Sequence, residues 1–474
     1  MRLVNNFLSL AGAEVISKLF TLAALVHLAR VVGPTGFGYL EFAAAAALCA
    51  GLLVDQGFGL YGAREIARDP SSTTRLMGEI VSLRFLLAVL AYGAVAVLSY
   101  VVDRPIVVKQ LILIYGLSVL FLPLSLQWVF QGHDQMHRVG LLQILRQGVY
   151  FAVVVIMVRD ALELWPAALA EVAGAGALAS ASVWMYQRYW GRRLSLAAKP
   201  SMRLVREGAT IGLSQIFWSM KMYGATVAVG FIANEEDVGF FGGAMRILVG
   251  LHAFVWLYFF NLLPSMSRAW NERGGRFEKL FERSFHLMGW LSLGGGLLWV
   301  LLAPTVVRLA YGEAFVPAGP VLQYLSGVCV LAAIHGHFRF ALIAAKHQQQ
   351  EMIASAIGAA VAIALIPIGH EHAGLPGAAM ALVAGEIAVW VSSAWFCRRY
   401  LDSGSHLLDL VLPGVTIGLL ASALWWLVPS SVPLLLQAGV AVAALAFAAY
   451  LTDTRVRRTF REFVATWTES PGKD

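Results

Sequence analysis

Charge is what this sequence has least of. Only 13% of its 474 residues are Asp, Glu, Lys or Arg, where a soluble domain carries about a quarter. A water-facing surface over most of the chain is thereby excluded. Cysteine is scarce as well. Cys49, Cys329 and Cys397 stand far apart, in or at the ends of apolar segments; they set no metal spacing and read as packing residues. No GxxxxGK phosphate loop occurs, and no connection between apolar runs is long enough for a soluble domain. Primary ATP-driven pumping by this chain alone is excluded on that ground.

What is present is apolar length. Hydrophobic residues make up 59% of the chain and the mean hydropathy is +0.71. The apolar residues fall in runs of roughly 20, the length of a membrane-crossing helix, where strands of a membrane barrel would alternate in short segments. The sequence therefore predicts an all-α, polytopic membrane protein. Fourteen spans are expected, at about 7–31, 36–62, 81–101, 107–131, 141–158, 164–187, 210–232, 239–265, 285–303, 317–344, 353–369, 374–396, 409–428 and 432–451. The first run carries internal charges and exceeds a signal-peptide core, so it is expected to be the first transmembrane helix.

The connections alternate in charge. One set holds Arg64, Arg68 and Arg75, then Arg188, Arg192 and Arg193, then Arg268, Arg273 and Arg276, then Arg398 and Arg399, and the basic tail; the other set holds only Arg104, Arg159 and Arg308. This bias predicts that both termini are cytoplasmic. In the basic connection 266–284, Phe277, Leu280, Phe281 and Phe285 fall at helical spacing, which predicts a short helix on the membrane surface.

An internal repeat is visible. Arg2-Leu3-Val4 recurs as Arg203-Leu204-Val205, and at the same offset Gly38-Tyr39 meets Gly239-Phe240, Ala43 meets Ala244 and Glu14 meets Gln215. The repeat predicts a lobe of helices 1–6 over 1–187, a basic linker over 188–209, and a lobe of helices 7–12 over 210–397. Helices 13 and 14 over 398–451 and a basic tail over 452–474 follow. Two like-oriented lobes with a site at their interface suit an alternating-access transporter.

Polar motifs are few. Gly294-Gly295-Gly296 and the small residues of AEVAGAGALASAS (170–182) read as close-packing devices. His133 and His137 have i, i+4 spacing, but a helical pair alone rarely holds a metal. Glu235-Glu236-Asp237 reads as a solvated turn. The connections of the sparsely charged set are short, which disfavours a membrane glycosyltransferase or ligase; the chain reads as a transporter, not an enzyme.

Charges inside spans carry the functional signal, because each costs roughly 2.5–3.5 kcal/mol at the bilayer centre on insertion scales. Arg84, Arg146 and Arg339 near one end of their spans, and Arg30, Glu41 and Lys109 near the other, can snorkel. Glu14, Lys18, Asp55, Lys221, Arg246 and Glu386 lie deeper. On helix 1, Glu14, Ser17, Lys18 and Thr21 form one polar stripe; Gln215 and Ser219 occupy the corresponding face of helix 7. Two readings stay open: Glu14 and Lys18 neutralise each other, or the surplus of Lys18, Lys221 and Arg246 serves an anionic substrate.

The segment 32–68 carries Gly33-Pro34, Phe37-Gly38-Tyr39, Asp55-Gln56-Gly57 and Arg64-Glu65-Ile66-Ala67-Arg68. With LQWVFQG (126–132) and LAYGEAFVPAGPVLQYLS (309–326), it resembles the polysaccharide and O-antigen-unit flippases. These belong to the multidrug/oligosaccharidyl-lipid/polysaccharide exporter superfamily. The likeness covers most of the chain. It implies an inner-membrane flippase that moves an undecaprenyl-diphosphate-linked oligosaccharide to the outer leaflet for polysaccharide biosynthesis. It further implies that cavity cations Lys18, Lys221 and Arg246, with Arg30 near the outer mouth, receive the diphosphate. Glu14, Asp55 and Glu386 are candidates for coupling or gating. Membrane lipids, a polysaccharide polymerase and a chain-length regulator are the implied partners, with no nucleic acid. No cofactor or metal is expected, and coupling to a Na+ gradient, a H+ gradient or the membrane potential stays open. A multidrug or cation antiporter and a lipid II flippase are the alternatives; antiporter cavities for cationic drugs favour acidic groups, and this chain leans basic.

Overall fold

Two glycines bend the two longest helices. The computed structural model describes residues 2–55, 57–190, 202–272, 275–401, 410–427, 434–453 and 457, and the side chains of 2–11, 203, 206–211, 214–215, 421–427, 434–435 and 437 are outside that description. Helix α1, Arg2–Asp55, contains the first predicted span and most of the second, and turns at Gly33, whose φ is 68°. Only glycine reaches that backbone region without steric cost, and Pro34 next to it has no N–H to continue the helical ladder. Helix α12, Gln348–Tyr400, likewise joins two spans across Ala373 and Gly374, where Gly374 has φ 61°, with Pro376 just beyond.

The remaining elements follow in order. They are α2 Phe58–Arg68, α3 Thr73–Val101, α4 Ile106–Leu117, α5 Gln127–Gly132, α6 Met136–Met157, α7 Trp165–Trp190, α8 Met202–Ile232, α9 Glu235–Asn271, α10 Arg276–Tyr311, α11 Ala318–Ala344, α13 Val411–Leu427 and α14 Leu434–Thr452. All described regular structure is helical, and each predicted span coincides with a helix, part of a kinked one, or the α4–α5 pair. Among the described residues nine helices are long and apolar enough to cross a membrane; the first and last of these run 57 and 53 residues, each enough for two crossings.

The chain forms two compact units: Met1–Gly243 with Arg308–Pro317, and Ala244–Val307 with Ala318–Asp474. The lobes expected from the repeat divide the chain elsewhere, at 188–209. Most of that linker and most of the basic tail lie outside the described residues.

In the first unit, α2 packs on α5. A Cβ on Gly132 would meet the Ala63 carbonyl oxygen at 2.9 Å, so the Arg64–Arg68 motif and the LQWVFQG motif depend on each other. Helix α1 ends at Asp55; Gly57 is left-handed at φ 76°, and the Asp55 carboxylate accepts from the Gly59 N–H at 3.4 Å. The small-residue run on α7 packs as expected, because a Cβ on Gly174 would lie 2.9 Å from the Arg146 carbonyl oxygen of α6.

In the second unit the expected surface helix is absent. Phe277, Phe281 and Phe285 are the first turns of α10 and are buried with Phe338 and Met266. The Phe281 and Phe285 rings stack on each other and each meets Phe338 edge-on, with centroids 5.4 Å apart for Phe281 and Phe338. The helical spacing was correct, but the apolar stripe is covered by α11 rather than lipid headgroups. Of the glycine triplet, Gly296 is the close-packed member: a Cβ there would lie 2.4 Å from a Val330 methyl.

Candidate functional site

The polar stripe of α1 divides by depth. Lys18 and Glu14 pair at 3.6 Å, with side chains 55% and 46% exposed. Glu14 also accepts from the Gln143 side-chain amide of α6. Ser17 is buried, and the Thr21 hydroxyl donates to its carbonyl at 2.9 Å. The structure thus keeps Glu14 on a neighbouring helix and leaves the Lys18 ammonium on an open face. Wherever water reaches it, such a pair contributes less than about 1 kcal/mol.

On α8, Ser219 and Thr226 are buried, and Lys221 is enclosed at 3% exposure. The Gln215 side chain lies outside the described residues. Arg246, on α9, is half-buried and belongs to the second unit, as does Glu386. The first unit therefore holds two of the three expected deep cations, one open and one enclosed.

Three of the six charges expected to snorkel are instead paired with acids on other helices. Arg84 is buried and forms an ion pair with Asp55; Arg146 pairs with Glu171; Arg339 pairs with the buried Glu351, which also accepts from the Ser355 hydroxyl at 2.9 Å. Asp55, expected as a coupling or gating group, is held by Arg84 and caps the α1–α2 break. Burial of a charge is tolerated when a partner and hydrogen bonds replace water, and each of these partners comes from another helix or another turn.

The Gly33 end of the first unit is closed by a dense contact. Phe37 meets Phe315 edge-on at 5.5 Å and Tyr311 at 5.9 Å. A Cβ on Gly38 would lie 1.8 Å from the Glu235 carbonyl oxygen, and one on Gly239 would lie 2.1 Å from that of Pro34. Two arginines brace the same end. Arg30 donates to the Leu309 carbonyl at 2.7 Å, in the last turn of α10. Arg104 donates to the Gly230 and Ala233 carbonyls at the end of α8 and pairs with Glu235 at 3.0 Å. Both guanidinium groups thus sit at helix C-termini, where orphan carbonyls and the helix dipole favour a cation. Glu235, expected in a solvated turn, is a partner in this brace. Arg30, expected as a substrate cation, is engaged by backbone. The signal for Arg104 in the sequence was its rarity as a basic residue in the sparsely charged set of connections.

His133, weighed as a metal ligand, donates from Nε2 to Thr73 Oγ1 at 3.0 Å, since that hydroxyl's own hydrogen goes to the Pro70 carbonyl. Its ring lies 4.9 Å from that of Trp190, and burial there lowers its pKa from 6.5. Among the described residues no group of three or more His, Cys, Asp or Glu side chains is gathered for a metal.

Residues 3–270 match the family described as polysaccharide biosynthesis protein. The chain belongs to this family. A relative named as an O-antigen transporter, from Escherichia coli (strain K12), is 22% identical over 412 residues that cover 84% of this chain and 97% of the relative. The fold is shared with solved transporters. The lipid II flippase MurJ in an inward closed conformation matches with a TM-score of 0.75 and 14% identity over 96% of this chain and 99% of that one. An inward-facing multidrug resistance MATE transporter of the MOP superfamily matches with a TM-score of 0.65 and 17% identity over 81% and 95%. Among its described residues this member of the polysaccharide biosynthesis family is all-helical and multi-pass, with the fold of those transporters.

Proposed function

We propose that this protein moves a lipid-linked oligosaccharide, carried on undecaprenyl diphosphate, from the cytoplasmic to the outer leaflet of the bacterial inner membrane. The observation that carries this reading is the open Lys18 ammonium on a membrane helix, in a chain of a polysaccharide biosynthesis family. A diphosphate is a dense anion, and a cation on an uncovered helix face is its simplest membrane receptor. The saccharide crosses through the polar interior while the prenyl chain stays in lipid.

The charge bias of the connections supports cytoplasmic termini. That orientation makes the Gly33 end the outer end, so the closed contact around Gly38 and Gly239 is an outer gate. Substrate then enters from the cytoplasmic side, and the outer gate must part for release. Polysaccharide polymerase and chain-length regulator partners belong to this reading as the consumers of the exported unit.

The test uses proteoliposomes with a fluorescent prenyl-diphosphate saccharide in one leaflet. Flipping that falls in the Lys18→Gln variant, with the protein still folded and inserted, supports the reading. Wild-type and variant rates that agree overturn it. A preference for lipid II over shorter saccharides would shift the cargo to the cell-wall precursor, and transport of a cationic dye without saccharide transport would favour drug export.

A further inference from the structure

The turn that joins α10 to α11 is packed into the first unit, although the chain on both sides of it belongs to the second. Residues 308–317 lie in the first unit, while Val307 and Ala318 lie in the second. Gly312, with φ 92° and ψ −177°, stops α10 after Tyr311, and one 3-10 turn, Glu313–Phe315, follows. Only glycine takes that φ without steric cost. The strap so formed delivers two rings. Phe315 is fully buried and meets Phe37 of α1 edge-on at 5.5 Å and Phe240 of α9 edge-on at 6.0 Å. Tyr311 lies 5.9 Å from Phe37, and its hydroxyl donates to the Gly243 carbonyl of α9 at 3.2 Å. From α1, Arg30 donates to the Leu309 carbonyl at 2.7 Å. The strap is therefore tied to both helices whose backbones meet at Gly38 and Gly239. Its own charges stay out of that seam, because Arg308 and Glu313 pair with each other at the surface.

In the second unit the two arms that carry the strap are bound to one another. Gln323 of α11 donates to the Val300 carbonyl of α10 at 2.8 Å, and a Cβ on Gly319 would lie 3.2 Å from the Pro304 Cα. The arms and the strap are thus one hairpin, and the tip moves when α10 and α11 move.

We infer that residues 308–317 form a latch: seated across α1 and α9, the tip of the α10–α11 hairpin holds the Gly38–Gly239 contact shut and must withdraw before that contact parts. The inference rests on the reading of that contact as the outer gate, and it names what controls the gate. The glycines bring two backbones together but carry no side chains to hold them there. The apolar area that favours the closed state comes from Phe37, Phe240, Tyr311 and Phe315, and half of those rings belong to the strap. Displacement of α10 and α11 removes both rings and both polar ties at once, with no other bond made or broken.

Two measurements test the latch. The first is amide hydrogen exchange on the purified full-length protein, which needs no cargo. Phe315→Ala is expected to speed exchange about tenfold or more in residues 34–42 and 235–243 as well as in the strap. Tyr311→Phe, which removes one hydroxyl tie, should speed the same segments by about a few-fold. Leu309→Ala is the control, since that side chain is 69% exposed. Faster exchange confined to 308–317, or an equal rise in the control, overturns the proposal. The second measurement fastens the latch. A Cβ on Gly243 would lie 3.2 Å from the Tyr311 ring, so a Gly243→Cys/Tyr311→Cys variant places two thiols face to face. With Cys49, Cys329 and Cys397 replaced by alanine, a short reductant-cleavable crosslinker joins that pair. In proteoliposomes with a fluorescent prenyl-diphosphate saccharide, the crosslinked protein is expected to lose flipping and to regain it on reduction. Flipping that continues with the strap fastened overturns the latch. If no saccharide moves in any protein, the cargo reading has failed, and the exchange measurement alone decides whether the strap holds the seam.

Discussion

Gly38 and Gly239 make the same contact twice. The Cβ position of Gly38 falls on the Glu235 carbonyl, and that of Gly239 falls on the Pro34 carbonyl. Position 38 is to 239 as 34 is to 235, the offset at which Arg2-Leu3-Val4 recurs as Arg203-Leu204-Val205. Residues equivalent under the internal repeat therefore touch each other reciprocally, as across a local twofold axis. Glu41 and Gly242 obey the same offset, and a Cβ on Gly242 would lie 2.7 Å from the Glu41 side chain.

Because the opposing atoms are backbone, no rotamer can relieve a larger side chain there. Gly38→Val and Gly239→Val are each expected to force the α1–α9 contact apart, at the roughly 1–3 kcal/mol typical of overpacking. A cysteine introduced at Phe37, which is 1% exposed, should then react with a membrane-impermeant maleimide several-fold faster than in the parent. Unchanged labelling would show that the contact tolerates bulk.

The two arginine braces are expected to differ. Arg104 serves two carbonyls and Glu235, while Arg30 serves one carbonyl and is exposed. Hydrogen bonds to charged groups contribute about 1.5–3 kcal/mol each, so Arg104→Ala should open the Gly33 end more than Arg30→Ala. The same Phe37 labelling assay ranks them, and Arg30→Ala exceeding Arg104→Ala would reverse the assignment.

Removing the acid beside Lys18 should free the ammonium. Glu14→Gln keeps the contact with Gln143 but ends the 3.6 Å pair with Lys18. A half-exposed pair contributes a few tenths of a kcal/mol, so binding of a short-chain prenyl diphosphate should tighten about twofold. Titration calorimetry on the purified protein reads this directly, and weaker binding would mean that Glu14 positions Lys18 rather than competes for it.

Asp453, just past α14, accepts from Trp290 Nε1 at 2.8 Å and from His286, both on α10. All three are buried. Asp453→Ala leaves two buried polar rings without their acceptor, a loss of about 3–5 kcal/mol for a broken buried pair. Limited proteolysis should then release the C-terminal helices early, while Asp453→Asn should be milder.

At the His133 turn the folded protein favours the neutral imidazole. Its pKa is lowered from 6.5 by burial, so the contribution to stability is full above pH 6.5 and is lost as the pH falls through the lowered value. Melting temperature should drop between pH 7 and pH 5, and His133→Gln should flatten that slope. An unchanged slope would place the acid sensitivity elsewhere.

Much of this protein was legible in its sequence because membrane insertion is decided locally. A run of apolar residues must satisfy its own backbone hydrogen bonds in lipid, so hydropathy alone placed the helices, and the gaps between spans 7–31 and 36–62 and between 353–369 and 374–396 fell at the two bends. The repeat at Gly38 and Gly239 could be read by offset. Partners could not be read. Asp55 with Arg84, Arg104 with Glu235, His335 with Glu386 and His286 with Asp453 each join residues 29 or more positions apart. Arg84 read alone could snorkel, and Glu235 read alone could face water. Only the packed bundle decided which charges were enclosed, because the cost of an intramembrane charge depends on the group that meets it, and helix packing chooses that group.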